Sequence, residues 1–231
     1  MLRPHTVSPS VPTHYHWRVG VKFFSGIAIG CVALTILPAI SSAQWISIGL
    51  RGTGSVPTGD FAESENSSND FLISGAKNGF GYGLEGAAGI GPIAAYAGFD
   101  RIRFDCATTT CFDEGNYTLH GVSAGLKLSS RGFSILRPFI KGGVTFNNLR
   151  GSYGSSSGGL TADRAPGYEV GAGIDVKLAG LMSLAPQVRY VGQNLKARVP
   201  GVTSPDPDGQ GVNYLTFDVG LSFHSPYELW R

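Results

Sequence analysis

Eight stretches of this chain alternate apolar with small or polar residues at a period of two, and the connectors between them alternate long and short. The period decides the element. Successive side chains of a β-strand point to opposite faces, so each stretch reads as a strand with one greasy side and one polar side. The clearest covers residues 167–178, where Tyr168, Val170, Ala172, Ile174, Val176 and Leu178 oppose Glu169, Gly171, Gly173, Asp175 and Lys177. The same pattern runs through residues 45–56, 79–90, 117–128, 136–149, 183–195 and 214–223. Residues 93–104 are the least regular, because Asp100 shares its parity with Tyr96, Ile102 and Phe104. A bulge there would restore the polar side.

The connectors add topology. Gly91-Pro92, residues 129–134 and residues 179–182 are short, whereas residues 57–78, 105–116, 150–166 and 196–213 are long and rich in Ser, Gly, Asn and Thr. In an up-and-down barrel every long connector then falls at one end. The open question is which face looks in. A soluble barrel would bury the apolar parity around a ligand, and a membrane barrel would turn it toward lipid.

The leader bears on that question. Residues 23–40 are continuously apolar, preceded by Lys22 and followed by Ser41, Ser42 and Ala43. Small residues before a cut between Ala43 and Gln44 fit a secretory signal. An inner-membrane anchor is the alternative, opposed by Pro38 and the small-residue exit. The stretch before Lys22 is long for a signal, and a start at Val21 read from a GTG codon would give an ordinary one. Removing Arg3, Arg18 and Lys22 with the leader leaves 15 basic and 16 acidic residues, net −1. Nothing in the sequence resembles a nucleic-acid-binding basic run or a phosphate-binding Gly-Lys-Ser/Thr loop.

Three features turn the apolar face outward. The polar parity carries paired opposite charges and glycines rather than the Lys- and Glu-rich surface of a soluble sheet, in a chain whose charged residues are 15% against roughly 25% in soluble domains. The connectors segregate by length, as in transmembrane barrels. An export signal with no later apolar helix leaves a closed barrel as the way to span a membrane. Aromatic residues near strand ends (Trp45, Phe80, Tyr117, Phe146, Tyr168, Tyr214, Phe223) suit interfacial girdles.

With those residues in view the chain resembles the small eight-stranded outer-membrane barrels, the OmpA transmembrane, OmpX and opacity-type family. The segment 49–61, "GLRGTGSVPTGDF", is similar to their first strand and loop entry. The segment 215–223, "LTFDVGLSF", is similar to their last strand, with the assembly-signal pattern at Asp218, Gly220 and Phe223. That signal usually closes with a further aromatic, where this chain has Ser225 and the tail "SPYELWR". The expected fold is all-β: an eight-stranded antiparallel up-and-down barrel over residues 44–225, after a signal at 1–43 and before a tail at 226–231. The resemblance implies a Gram-negative outer membrane. Its implied partners are membrane lipid, lipopolysaccharide and the barrel assembly machinery, with no nucleic acid. The anchoring role of the larger OmpA proteins does not carry over, since no peptidoglycan-binding segment follows.

The candidate functional residues lie on the polar parity. Arg51, Glu85, Arg101, Arg103, Lys127, Arg137, Lys141, Glu169, Asp175, Lys177, Arg189 and Asp218 would form a luminal charge network of eight bases and four acids. Buried charges must be paired, so structural packing is the first reading and a narrow anion-preferring pore the second. Eight strands enclose a space that side chains just fill. Cys106 and Cys111 would staple the second long loop in an oxidising compartment. A zinc pair lacks nearby histidines, and Asp206 to Gly209 reads as a turn rather than a calcium loop. No cofactor or metal is expected.

Catalysis would need a serine within reach of a base. His120 with Ser123 and His224 with Ser225 are the candidates for a rim lipid A deacylase or esterase, and strand geometry sends the members of each pair to opposite faces. The favoured reading is a structural or adhesion-like role through the long loops, without catalysis. A soluble secreted barrel binding an apolar ligand is the other alternative.

Overall fold

The computed structural model describes residues 44–62, 75–106, 115–130, 135–152, 160–198 and 209–225. The predicted leader, the long-loop tips and the tail after Ser225 lie outside the described residues, as do Ala43 and Cys111. The strands are β1 (Gln44–Thr58), β2 (Ala76–Ile90), β3 (Ile93–Cys106), β4 (Asn116–Ser129), β5 (Leu136–Ser152), β6 (Leu160–Ala179), β7 (Met182–Leu195), β8 (Ala197–Arg198) and β9 (Gln210–His224). β8 is a two-residue strip that pairs with Thr161 and Ala162. The eight long strands are antiparallel to their neighbours in the order β5-β4-β3-β2-β1-β9-β7-β6, and a β5–β6 ladder closes the ring. Closure leaves no sheet edge among these strands, the condition for placing a sheet in lipid.

Turn chemistry sets the register at the short-turn end. Ile90 pairs with Ile93 across Gly91-Pro92, and Ala179 pairs with Met182 across Gly180-Leu181. In each turn the first residue is glycine with positive φ, 59° at Gly91 and 54° at Gly180. A two-residue hairpin whose twist matches the strands needs that conformation. At the other end the strands outrun the sequence pattern. β6 begins at Leu160, well inside the expected loop.

The faces fall as the period requires. Ile46, Ile48, Leu50, Leu84, Leu126, Ile140, Val170, Phe217 and Val219 are exposed on the outer wall. The charged residues Arg51, Lys141, Glu169, Asp175, Arg189 and Asp218 are buried inside. An apolar exterior around a charged interior reverses a soluble fold and removes the soluble-ligand alternative. The wall that would have lined an apolar cavity faces out.

The lumen is filled in layers. At the short-turn end Trp45, Ala87, Ala94 and Tyr96 pack together. The charges occupy the middle. At the loop end a second apolar cluster includes Phe61, Ile102, Phe104, Tyr117, Leu119, Leu149 and Tyr214. Phe61 arrives from the single 3₁₀ turn Gly59–Phe61 that follows β1. It is fully buried and stacks edge-on against Phe104, ring centroids 5.1 Å apart.

This plug corrects two expectations. The third segment contains no bulge where one was expected: β3 pairs regularly with β4 from Ile93 to Asp105, and the β2–β3 irregularity lies at Ala76/Gly79. Asp100, Tyr96, Ile102 and Phe104 all point inward because the inner wall changes from charged to apolar toward the loops. For the same reason Tyr117 and Tyr214, each 2% exposed, are plug residues rather than girdle residues. Trp45 is also inside, its Nε1 donating to the Gly91 carbonyl at 3.2 Å. Phe80, Phe146, Tyr168 and Phe223 do face outward.

Candidate functional site

Arg189 on β7 is the hub of the lumen. It is 1% exposed and reaches three carboxylates on three other strands. Its Nε donates to Asp218 at 2.6 Å, and its Nη1 donates to Glu169 at 3.0 Å and to Asp100 at 3.1 Å. Arg51 forms the second fork, with Nη2 2.8 Å from Asp100 and Nη1 2.5 Å from Glu85. Lys141 completes the chain, its Nζ 2.6 Å from Glu85 and 3.9 Å from Glu169. The Tyr96 hydroxyl donates to Glu169 at 2.5 Å, and the Thr216 hydroxyl to Asp218 at 3.3 Å. Lys127 and Asp175 pair separately at 3.1 Å, with the ammonium 3.7 Å from the centre of the Phe139 ring. Planar guanidinium forks suit this bridging, because each offers several fixed donors to carboxylates on different walls.

Glycine on the inner parity makes the space. A Cβ at Gly83 would fall 2.4 Å from Asp100 Oδ1 and 2.9 Å from Arg51 Nε. One at Gly171 would fall 2.8 Å from Arg189 Cγ, and one at Gly143 2.6 Å from the Tyr96 hydroxyl. The high glycine content is therefore partly room for long charged side chains in a narrow tube.

The predicted network residues sort as follows. Arg51, Glu85, Lys127, Lys141, Glu169, Asp175, Arg189 and Asp218 all form ion pairs in the lumen. Arg137 sits near the short-turn end, its guanidinium 5.6 Å from the Trp45 ring centre. Lys177 is half-buried on the same inner parity. Arg101 and Arg103 do not belong: both are exposed on the outer wall. Asp100 takes their place, and parity counted through β3 without a bulge would have found it. The exchange removes most of the basic excess that suggested an anion pore.

Asp218 and Gly220 of the assembly-signal pattern face the lumen, and Phe223 faces out. Cys106, the last residue of β3, is disulfide-bonded.

The catalytic pairs do not assemble. His120 lies on the outer wall and Ser123 is buried inside. Ser225 Oγ accepts a hydrogen bond from the Ile46 backbone N–H at 3.1 Å. His224 Nε2 instead lies 2.6 Å from Ser183 Oγ, joining β7 to β9. Sequence reading missed that pair, because the partners meet only across the β7–β9 ladder. Ser183 has no exposed surface, so the contact is an internal link between two neighbouring strands. Among the described residues, no three His, Cys, Asp or Glu side chains group to hold a metal.

A family of outer-membrane barrels described as "Outer membrane protein beta-barrel domain" matches residues 29–224. The chain belongs to this family. Its fold is shared with Neisserial surface protein A at TM-score 0.51 and 13% identity, over 79% of this chain and 97% of that one. It is shared also with OprG of Pseudomonas aeruginosa at TM-score 0.53 and 14% identity, over 80% and 96%. No curated protein matches the chain. As an outer-membrane barrel it sets its apolar wall in lipid.

Proposed function

We propose that this outer-membrane barrel works through its surface loops, in a structural and adhesion-like role without catalysis. The observation that carries the reading is the filled lumen. A charge network spans its middle and a Phe61-centred plug occupies the loop end. A scaffold packed in this way leaves the loops as the variable surface, and loops on rigid scaffolds commonly carry function. The expected partners are outer-leaflet lipopolysaccharide, a host or surface ligand at the loops, and the assembly machinery reading Asp218, Gly220 and Phe223. Export would remove residues 1–43 with a cut between Ala43 and Gln44, and residues 226–231 would remain as a tail.

Replacing the four long loops by tight turns tests this. The shortened barrel should still show a heat-dependent gel shift in the outer-membrane fraction, and cells carrying it should lose surface adhesion. Full adhesion by a folded loopless barrel would refute the loop role. Hydrolysis of lipid A by the unmodified protein would refute the non-catalytic one.

A further inference from the structure

The two arginines that the sequence placed in the lumen belong to a basic surface on the outer wall. Two rows of residues cross β3 to β6 there, just below the long loops. In the lower row Arg101 pairs with His120 and His120 with Asn148, and the β6 bulge holding Asp163 and Arg164 lies opposite Asn148. In the upper row Arg103 pairs with Thr118, Thr118 with Arg150, and Arg150 with Thr161. Four strands at the usual spacing make this surface roughly 14 Å wide.

Four arginines therefore stand on one face, each exposed. None of them forms a salt bridge among the described residues, although every charged residue of the central network does. The charges bearing on His120 are those of Arg150, Arg101 and Arg164, all of one sign. Asp105 lies beyond Arg103 on the same face of β3. Among the described side chains, counting Asp105 against the four arginines leaves this surface at net +3. Like charges on neighbouring strands are destabilising, so the fold calls for an anion at this point.

The depth of the surface identifies the anion. The outward residues immediately below are Phe99 on β3, Val122 on β4 and Phe146 on β5, all exposed as a lipid-facing wall should be. The arginines begin at the next outward position, where acyl chains give way to headgroups. A cleft of about 370 Å³ opens at that level, lined by Phe99, Arg101, Thr118, His120 and Arg150. Its floor is partly apolar and its rim cationic, matching a phosphorylated headgroup carried on acyl chains. Guanidinium groups bind phosphate through paired hydrogen bonds.

We propose that Arg101, Arg103, Arg150 and Arg164, with His120, bind the phosphates of an outer-leaflet glycolipid of the lipid A class against the barrel wall. This rests on the barrel's placement in the outer membrane and is separate from any loop ligand.

The test uses the full-length barrel, folded in neutral detergent micelles and titrated with diphosphorylated lipid A. Each arginine near an anionic lipid surface contributes about fivefold in affinity. The triple variant R101Q/R150Q/R164Q should therefore bind on the order of a hundredfold more weakly, and the matching lysine triple should retain most of the affinity. The heat-dependent gel shift must persist in both. Equal affinity of the glutamine triple and the parent would overturn the proposal, as would equal affinity for dephosphorylated lipid A. Competition by millimolar inorganic phosphate or a soluble polysulfate, at concentrations matching lipid A, would also overturn it by making the ligand a soluble anion. The loopless barrel should bind lipid A like the parent, so failure of the loop role and failure of this site give different results.

Discussion

Arg189→Ala should be the most damaging single change in the lumen, and its size follows from counting charges. The connected network sets three cations (Arg51, Lys141, Arg189) against four carboxylates (Glu85, Asp100, Glu169, Asp218). Deleting Arg189 leaves two against four and strips Asp218 of its ion pair. Breaking one buried pair costs about 3–5 kcal/mol, and the loss should reach the upper part of that range because three carboxylates lose the same partner. Asp218→Asn brings the network to three against three and leaves Arg189 bound to Asp100 and Glu169. It should cost about 1.5–3 kcal/mol, the worth of hydrogen bonds to a charged group. The double variant R189A/D218N should be less destabilised than the sum of its parts, with a coupling of about 0.5–3 kcal/mol. Equilibrium urea unfolding of the refolded barrel in bilayers, read from the heat-shifted gel band, measures all four proteins. A loss below about 1 kcal/mol for Arg189→Ala, or Asp218→Asn as harmful as Arg189→Ala, would refute the account of Arg189 as the hub.

Other consequences are separable. Val170→Arg and Ile174→Arg, on outer-wall residues that are 53% and 41% exposed, should each cost about 2–4 kcal/mol in lipid; unchanged unfolding in bilayers would mean the wall does not face acyl chains. Phe61→Ala should cost about 3–5 kcal/mol by emptying the plug, and a loss under about 1 kcal/mol in the same assay would show that the first-loop turn does not pack there. Gly143→Leu should fail to refold, since even its Cβ would lie 2.3 Å from the Ala124 carbonyl oxygen; a normal gel shift would disprove that crowding. Cys111→Ser should leave Cys106 open to maleimide labelling in unfolded, unreduced protein, whereas an unlabelled Cys106 would mean a different disulfide partner.

Most of the barrel was legible because a strand's period has only two phases. Once Ile46, Ile48 and Leu50 are assigned to one wall, Arg51 must lie on the other, and the alternation of short and long connectors orders the strands around the ring. The misreadings share one cause, the assumption that the inner wall is polar along its whole length. β3 breaks that assumption. Its inner face runs from Tyr96 through Asp100 to Ile102 and Phe104, because the middle of the tube holds charges and the loop end holds a dry plug. Its outer face makes the converse change from Phe99 to Arg101 and Arg103, at the height of the proposed headgroup site. Each face thus switches polarity at nearly the same height, and hydropathy assigned to faces without regard to depth swaps the two. Parity alone, carried unbroken from Ile93 to Asp105, places every side chain of β3 on its observed side. The displaced arginines are then no longer surplus luminal bases: the same parity that sends Asp100 to Arg51 and Arg189 sends Arg101 and Arg103 to the headgroups.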